Sequence, residues 1–257
     1  MSLESKVERM KDKYEKVVIA GDYHIPFEDK QACRAFDKFL KDFKPDTLII
    51  NGDFLDFYDL SKFDKDYRKE NKLQEELDKG YDMLANYRKM LPNAKIFMTT
   101  SNHMEKRLER FKRGEGKALA SLEYLTTQNM LKLDELNIKL VSTYDNKHFM
   151  VLHGDMARKH SGYTAKGTLD DKGKTVFMNH VHRLASHYKT DELGTRVGVE
   201  CGCMCTVKPE YIDGVPNWQQ GFAVIYRKHK GNWFQHYLVK ITNGKFIFNG
   251  KEYDGRK

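Results

Sequence analysis

Long apolar runs are missing from this chain of 257 residues. No stretch approaches the ~20 consecutive apolar residues needed to cross a bilayer, so membrane-spanning classes are excluded. Residues 1–16 are charged rather than apolar, which argues against a secretory signal and predicts a cytoplasmic location. Cysteine is scarce and poorly spaced for structural zinc: Cys33 stands alone, and Cys201, Cys203 and Cys205 recur at every second residue. Such zinc sites use cysteine pairs separated by about two to four residues. A period of two instead turns three thiols to one face of a strand, and buried free thiols are the reading for a cytosolic chain. Internal repeats, low-complexity tracts and flexible linkers are also lacking. Residues 1–257 therefore read as one domain, with 1–15 as an N-terminal helix or tail.

What is present is ordinary globular material, 40% hydrophobic and 32% charged, enough for a substantial core. The formal net charge of +8 suits an anionic substrate or a nucleic acid without identifying either, because net charge speaks to steering and solubility. The apolar run at 17–20 ends at Gly21 and reads as a buried strand. A helix follows over 29–43, with Ala32, Ala35, Phe36, Phe39 and Leu40 on one face and Pro45 as its stop. Residues 47–50 form a second strand. Leu73, Leu77, Tyr81, Leu84 and Leu91 mark an amphipathic helix closed by Pro92, and 95–100 form a third strand. Strand, helix, strand, helix, strand predicts a layered α/β fold. Further helices are expected at 106–111 and 118–133. Short strands follow at 138–142, 148–152, 175–178, 184–189, 196–206, 221–228 and 233–240.

Five of these strands end in residues able to ligate metal: Asp22/His24, Asp53/Asp56, Asn102/His103, His153/Asp155 and His180/His182. A lone Asp-x-His says almost nothing. Five ordered groups at strand ends are hard to explain as satisfied core residues, because buried ionised carboxylates need a partner. The set is large enough for two adjacent divalent cations, and such a pair can hold a phosphate ester and activate water against it.

The stretches Gly21-Asp22-Tyr23-His24, Asn51-Gly52-Asp53-Phe54-Leu55-Asp56, Ser101-Asn102-His103, His153-Gly154 and Asn179-His180-Val181-His182 resemble the calcineurin-like metallophosphoesterase superfamily. Asn217-Trp218-Gln219-Gln220-Gly221-Phe222 also looks like segments of its phage-encoded members. The resemblance implies a four-layer αββα sandwich with two mixed β-sheets and a binuclear site between them. It implies Asp22, His24 and His182 on one metal, Asn102, His153 and His180 on the other, and Asp53 bridging both. Mixed nitrogen and oxygen ligands fit Mn²⁺, Fe or Zn²⁺ better than a Ca²⁺ or Mg²⁺ cage, with Mn²⁺ preferred. His103 would be the general acid toward the leaving oxygen, and Asp56 would orient His103 or a ligand.

Three positions depart from the family pattern. Ser101 and Asn179 stand where the family usually has glycine, and Met104 stands where it has an acidic residue beside His103. Glycine at such sites permits positive φ or a close backbone approach. Met104 removes a carboxylate that would tune His103, which predicts firmer metal binding than turnover. Arg183, Arg107 and His160 are candidate substrate contacts, and Arg110, Lys112 and Arg113 could extend an anion-attracting rim. His148, His187, His229 and His236 read as structural, and Trp218 and Trp233 as packing residues. The function expected is metal-dependent phosphoesterase, leaning to a phosphodiesterase or nuclease on nucleotides or DNA. The alternatives are a phosphomonoesterase, or a catalytically weakened module binding metal and nucleic acid.

Overall fold

A computed structural model describes residues 14–61, 73–208, 214–230 and 233–256. The chain runs β1 (Tyr14–Ala20), α1 (Lys30–Phe43), β2 (Thr47–Ile50), α2 (Leu73–Met90), β3 (Lys95–Thr99), α3 (Arg107–Arg113) and α4 (Thr127–Met130). It continues through β4 (Ile138–Val141), β5 (Tyr144–Asp145), β6 (Met150–Leu152), α5 (Tyr163–Lys172), β7 (Val176–Met178), β8 (Leu184–Asp191) and β9 (Gly194–Cys201). It closes with β10 (Gly221–Lys228), β11 (Phe234–Lys240), β12 (Lys245–Phe248) and β13 (Lys251–Asp254). The first sheet has six strands in the order β11-β10-β1-β2-β3-β4, and the second has five in the order β5-β6-β7-β9-β8. Both are mixed: β1 to β4 pair in parallel while β10 is antiparallel to β1, and β6-β7-β9 are parallel while β5 and β8 are antiparallel edges.

Strand alternation sorts the core into two clusters. Val17, Ile19, Ile49, Ala223 and Ile225 of the first sheet meet Val151, Phe177, Val197 and Val199 of the second. Their neighbours Val18, Ala20, Leu48, Ile50 and Val224 face the opposite way, onto Phe36, Phe39 and Leu40 of α1 and Leu77 and Leu84 of α2. Alternate residues of one strand therefore serve different layers, as a period of two requires. α5 covers the outer face of the second sheet, and a Cβ on Gly198 of β9 would lie only 2.5 Å from the Ala165 carbonyl oxygen. The layers run helix, sheet, sheet, helix. This is the αββα sandwich.

Several local expectations are corrected. The helix expected over 118–133 is α4 alone, preceded by a 3₁₀ turn at Lys117–Leu119. The N-terminal helix or tail (1–15) lies outside the described residues up to 13, and Tyr14 and Glu15 belong to β1 rather than to a tail. α1 is capped by Asp29, whose carboxylate accepts from the Gln31 and Ala32 amides, so the acid sits just outside the helix. α5 was not expected. Its N-cap, Gly162, offers no side chain, and its cap comes from Glu200 on β9, fully buried. The Glu200 carboxylate accepts from the Gly162 and Ala165 amides at 2.8 and 3.3 Å, placing negative charge on the helix N-terminus.

Candidate metal centre

The C-terminal ends of the parallel strands of both sheets open toward one another, and the loops leaving them carry the site. Asn51 ties this region together. Its side-chain nitrogen donates to the Leu152 carbonyl (3.0 Å) and to Asn179 Oδ1 (2.8 Å), and its oxygen accepts from Thr99 Oγ1 (2.8 Å). One buried amide thus joins the ends of β2, β3, β6 and β7. Asn179 passes the connection on, donating to the Gly202 carbonyl at 2.8 Å.

Five of the proposed ligands hold left-handed backbone: Asp22 (φ 52°), His24 (φ 50°), Asp53 (φ 39°), His180 (φ 74°) and His182 (φ 58°). Non-glycine residues in this region cost on the order of 1 kcal/mol each and persist where the surroundings over-determine them. Here hydrogen bonds fix the loops, with Asp22 N–H donating to the Gly52 carbonyl (3.2 Å) and His24 N–H to the Asp53 carbonyl (2.8 Å). Ser101, at φ −147°, and Asn179, absent from the positive-φ residues, do not need glycine's freedom. Neither departure forces a side chain into left-handed backbone.

The side chains converge. His153 Nε2 lies 3.0 Å from Asp22 Oδ1 and 3.2 Å from Asp53 Oδ2. His24 Nε2 is 3.1 Å from His182 Nε2 and 3.7 Å from Asp53 Oδ2, and His182 Nε2 is 3.5 Å from Asp22 Oδ2. Among the described residues, four sets of three offer ligand atoms within 4.8 Å of one another: Asp22, His24 and His182; Asp53, His153 and His180; His24, Asp53 and His103; and His182, Cys203 and Cys205. Asn102 Oδ1 is buried without a hydrogen-bond partner, an arrangement that costs free energy unless a donor or a cation meets the oxygen. The donor set and this orphaned oxygen fit a pair of divalent cations of the Mn²⁺, Fe or Zn²⁺ type.

The carboxylates charge one of these imidazoles, whereas burial keeps another neutral. Burial opposes charge on both Asp53 and His153. Their mutual attraction nevertheless holds Asp53 well below the carboxylate range and, with Asp22, lifts His153 to about 10. Burial pushes His182 down to about 3, leaving a neutral imidazole with a lone pair to offer. Its Nδ1 is 4.0 Å from Cys205 Sγ, so a proton on Nδ1 frees Nε2 toward Asp22 and His24. Burial, then repulsion from His153, lowers His180 as well.

His103 sits at the edge, in a π-helical turn (Asn102–Lys106). Its backbone amide donates to Asp53 Oδ1 at 3.1 Å, and its Nδ1 lies 3.0 Å from Asp56 Oδ1. Asp56 also meets His24 Nδ1 at 2.8 Å. One carboxylate therefore orients both rings, taking the place of the acid that Met104 lacks. Met104 is fully buried and its sulfur faces the Leu55 amide at 3.5 Å. Glu105 turns back to the Ser101 amide (2.5 Å) and Thr127 Oγ1 (2.9 Å), while Ser101 Oγ accepts from the Met104 amide at 3.4 Å. This reciprocal cap resembles a capping box one residue longer than usual, matching the wider turn.

Of the candidate substrate contacts, only Arg107 reaches His103. Its Nη1 donates to Asp56 Oδ2 (3.0 Å) and its Nη2 lies 3.3 Å from His103 Nε2. Arg183 donates to the Arg158 carbonyl at 2.7 Å, in the neighbouring loop. His160 is exposed and packs edge-on to Tyr163. Arg110 is committed to the Leu60 carbonyl and Lys112 to Glu109, so they extend no free anion rim. Asp155 is exposed and pairs with Lys106 across the mouth at 3.0 Å. Trp218, read as a packing residue, packs against the centre itself: its ring lies 4.3 Å from that of His182 at 70°. The Asn-Trp-Gln-Gln run was its one sequence signal.

A family model for calcineurin-like phosphoesterases matches residues 15–199. The chain belongs to that family. It is 22% identical over 256 residues to the Gene 54 protein of Mycobacterium phage L5, covering 93% of this chain and 98% of that protein. The Gene 54 protein of Mycobacterium phage D29 is 21% identical over 249 residues, with 91% and 97% covered. Among solved structures, Zn²⁺-complexed Vps29 from Entamoeba histolytica aligns at TM-score 0.48 and 13% identity, covering 93% of this chain and 99% of that one. Vps29 from Cryptosporidium parvum aligns at 0.49 and 12%, covering 95% and 100%.

Beneath the loop carrying Asp56, Glu76 of α2 accepts the Phe57 amide at 2.5 Å while only 3% exposed. Burial, reinforced by Asp56 and Asp59, raises its pKa from the ordinary 4.5 to about 8. The folded protein thus binds a proton that the unfolded chain releases between these values. The resulting stabilisation is complete below about 4.5 and is lost as pH rises through about 8. A shift of this size corresponds to about 5 kcal/mol. Glu76→Gln, which keeps an acceptor for Phe57, should unfold at higher urea than the parent at pH 9 and lose most of that advantage at pH 5. Equal advantages at both pH values would remove Glu76 as the titrating group.

Proposed function

We propose that this protein is a binuclear metal-dependent phosphoesterase, acting as a phosphodiesterase or nuclease on nucleotides or DNA in the cytoplasm. The observation that carries the reading is the Asp53 carboxylate, which faces His153 on one side and His24 and His103 on the other. No described helix is long and apolar enough to cross a membrane, and the +8 charge favours an anionic substrate.

On this reading Asp22, His24 and His182 would hold one cation and Asn102, His153 and His180 the other, Asp53 would serve both, and Mn²⁺ would be the preferred metal. When bound, the cations supply Lewis-acid neutralisation of the phosphate and acidify the attacking water. His103 keeps Nδ1 on Asp56, so Nε2 is the atom that hands a proton to the departing alcohol oxygen. Arg107 supports this by holding Asp56 and offering a donor beside His103 Nε2, where a substrate phosphate oxygen would be the stronger acceptor.

Mn²⁺-loaded protein assayed on a nitrophenyl phosphodiester tests the reading. Hydrolysis is expected, and His103→Ala should lower kcat by about 10²-fold, the low end for a general acid, with metal content unchanged. No hydrolysis with both metals bound would leave a metal-binding module rather than an enzyme.

A further inference from the structure

We propose that the exposed edge formed by residues 158–163, Arg183 and Trp218 is a docking strip for single-stranded nucleic acid. Trp218 and Tyr163 would stack on bases, while Arg158, Lys159 and Arg183 would meet phosphates. The inference rests on the phosphodiesterase reading above and names the substrate class for that same site.

The strip starts at the metal centre. Trp218 is half-buried with its ring against the proposed ligand His182, 4.3 Å away. Its loop is fastened to the ligand's own backbone, since Gln219 N–H donates to the His182 carbonyl at 2.7 Å and the Gln219 side chain accepts from Leu184 N–H at 3.2 Å. A base one nucleotide from the reacting phosphate would therefore meet an aromatic ring already fixed in place. Pre-fixed aromatic surface is favourable because little conformational entropy is lost on stacking.

The strip continues away from the centre. Asn217 Nδ2 donates to Ser161 Oγ at 3.2 Å, joining the Trp218 loop to the segment before α5. There Tyr163 is 52% exposed and its ring makes a T-shaped contact with His160, centroids 5.2 Å apart. Arg158, Lys159 and His160 are all exposed. Arg183, next in sequence to His182 and half-buried, donates one guanidinium nitrogen to the Arg158 backbone carbonyl, while the Arg158 guanidinium lies over Gly167 of α5. Aromatic rings interleaved with cations, beginning at a phosphate-cleaving centre, match what single strands need: faces for unstacked bases and charge for the backbone. A duplex keeps its base faces internal and could use the cations alone.

Fluorescein-labelled single-stranded oligonucleotides of about ten nucleotides, deoxythymidine or uridine, would be titrated with the full chain in EDTA. Without metal, binding is read apart from cleavage. Binding is expected to exceed that of a duplex of equal length and to weaken as salt rises. Trp218→Ala and Tyr163→Ala should each weaken it roughly 5- to 100-fold, the range for removing one stacking partner, and Trp218→Phe should recover most of the loss. The chain has two tryptophans, and Trp233 packs on Tyr14. Quenching of the parent's emission by unlabelled oligonucleotide, retained in Trp233→Phe, is a readout that survives if Trp218→Ala does not fold.

Binding of duplex as tight as single strand, or Tyr163→Ala indistinguishable from parent together with no quenching, would overturn the strip. Nitrophenyl phosphodiester hydrolysis without oligonucleotide binding would also overturn it while leaving the hydrolase reading intact. Oligonucleotide binding with no hydrolysis of either substrate would sink the hydrolase reading instead, and the strip would stand as a binding surface.

Discussion

Asp53→Asn is expected to cost the protein at least one bound cation. After Mn²⁺ loading and dialysis, elemental analysis should find about two ions per parent chain and at most about one per variant chain. Phosphodiester hydrolysis should fall on the order of 10³-fold or more, beyond the 10–100-fold typical of groups that only orient a ligand. The reason lies in how the carboxylate is used. Oδ1 accepts the His103 amide at 3.1 Å, while Oδ2 faces His153, His24 and His103 at 3.2, 3.7 and 3.9 Å. An asparagine can keep an oxygen for the amide only by presenting an NH₂ to three imidazoles, where a donor repels a cation. It also removes the negative charge that pairs with His153 in a site just 1% exposed. Far-UV circular dichroism distinguishes ligand loss from unfolding. A folded variant that still holds two ions would end the case for Asp53 as the shared ligand.

The contrast between Asp53 and α5 shows what this sequence makes legible. Asp53 follows an apolar strand and a Gly-Asp motif, so a local pattern announces both its position and its chemistry. The alternation of Val17 with Val18 and of Ile49 with Leu48 likewise marked buried strands, and the two-sheet sandwich followed once the family likeness was recognised. α5 left no comparable trace. Its cap is Glu200, 38 residues away, and Gly167 interrupts its middle because the Arg158 guanidinium carbon would lie 2.5 Å from any Cβ there. A cap supplied across the fold and a glycine kept for close approach both erase the local helix signal. The site shows the same division. Ligand types were readable at the strand ends, and the family likeness pointed to Asp56 as orienting His103 or a ligand, but that one carboxylate oxygen meets both His24 and His103 depends on distances that spacing does not encode. Met104 is the clearest case: as a sequence change it removes an acid, but in the fold the acid near His103 is Asp56, supplied from the loop after β2.

Gly52→Ala is expected to cost both stability and bound metal. The added Cβ would lie 2.3 Å from His153 Cδ2 and 2.5 Å from its Cγ, far inside contact distance. It would also fix an alanine at φ +71°, where an L-residue is disfavoured by about 1–2 kcal/mol. His153 has nowhere to retreat, because its ring is 1% exposed and its Nε2 is set between Asp22 and Asp53. The neighbouring Asp22 amide also depends on the Gly52 carbonyl, so moving the backbone instead would shift a second proposed ligand. Overpacking costs about 1–3 kcal/mol in a dense core, and with the backbone penalty the expected loss is about 2–5 kcal/mol of stability. Metal retention should fall with it, first at the cation held by His153. Gly21→Ala provides the comparison. Its Cβ would crowd the Asn51 carbonyl at 2.4 Å and Asn179 at 2.8 Å but touches no proposed ligand side chain. Urea unfolding should show both variants destabilised, while metal analysis of folded protein should show the selective loss only in Gly52→Ala. If Gly52→Ala keeps full metal content, His153 is not held where a cation needs it, and the two-metal assignment fails at that ligand.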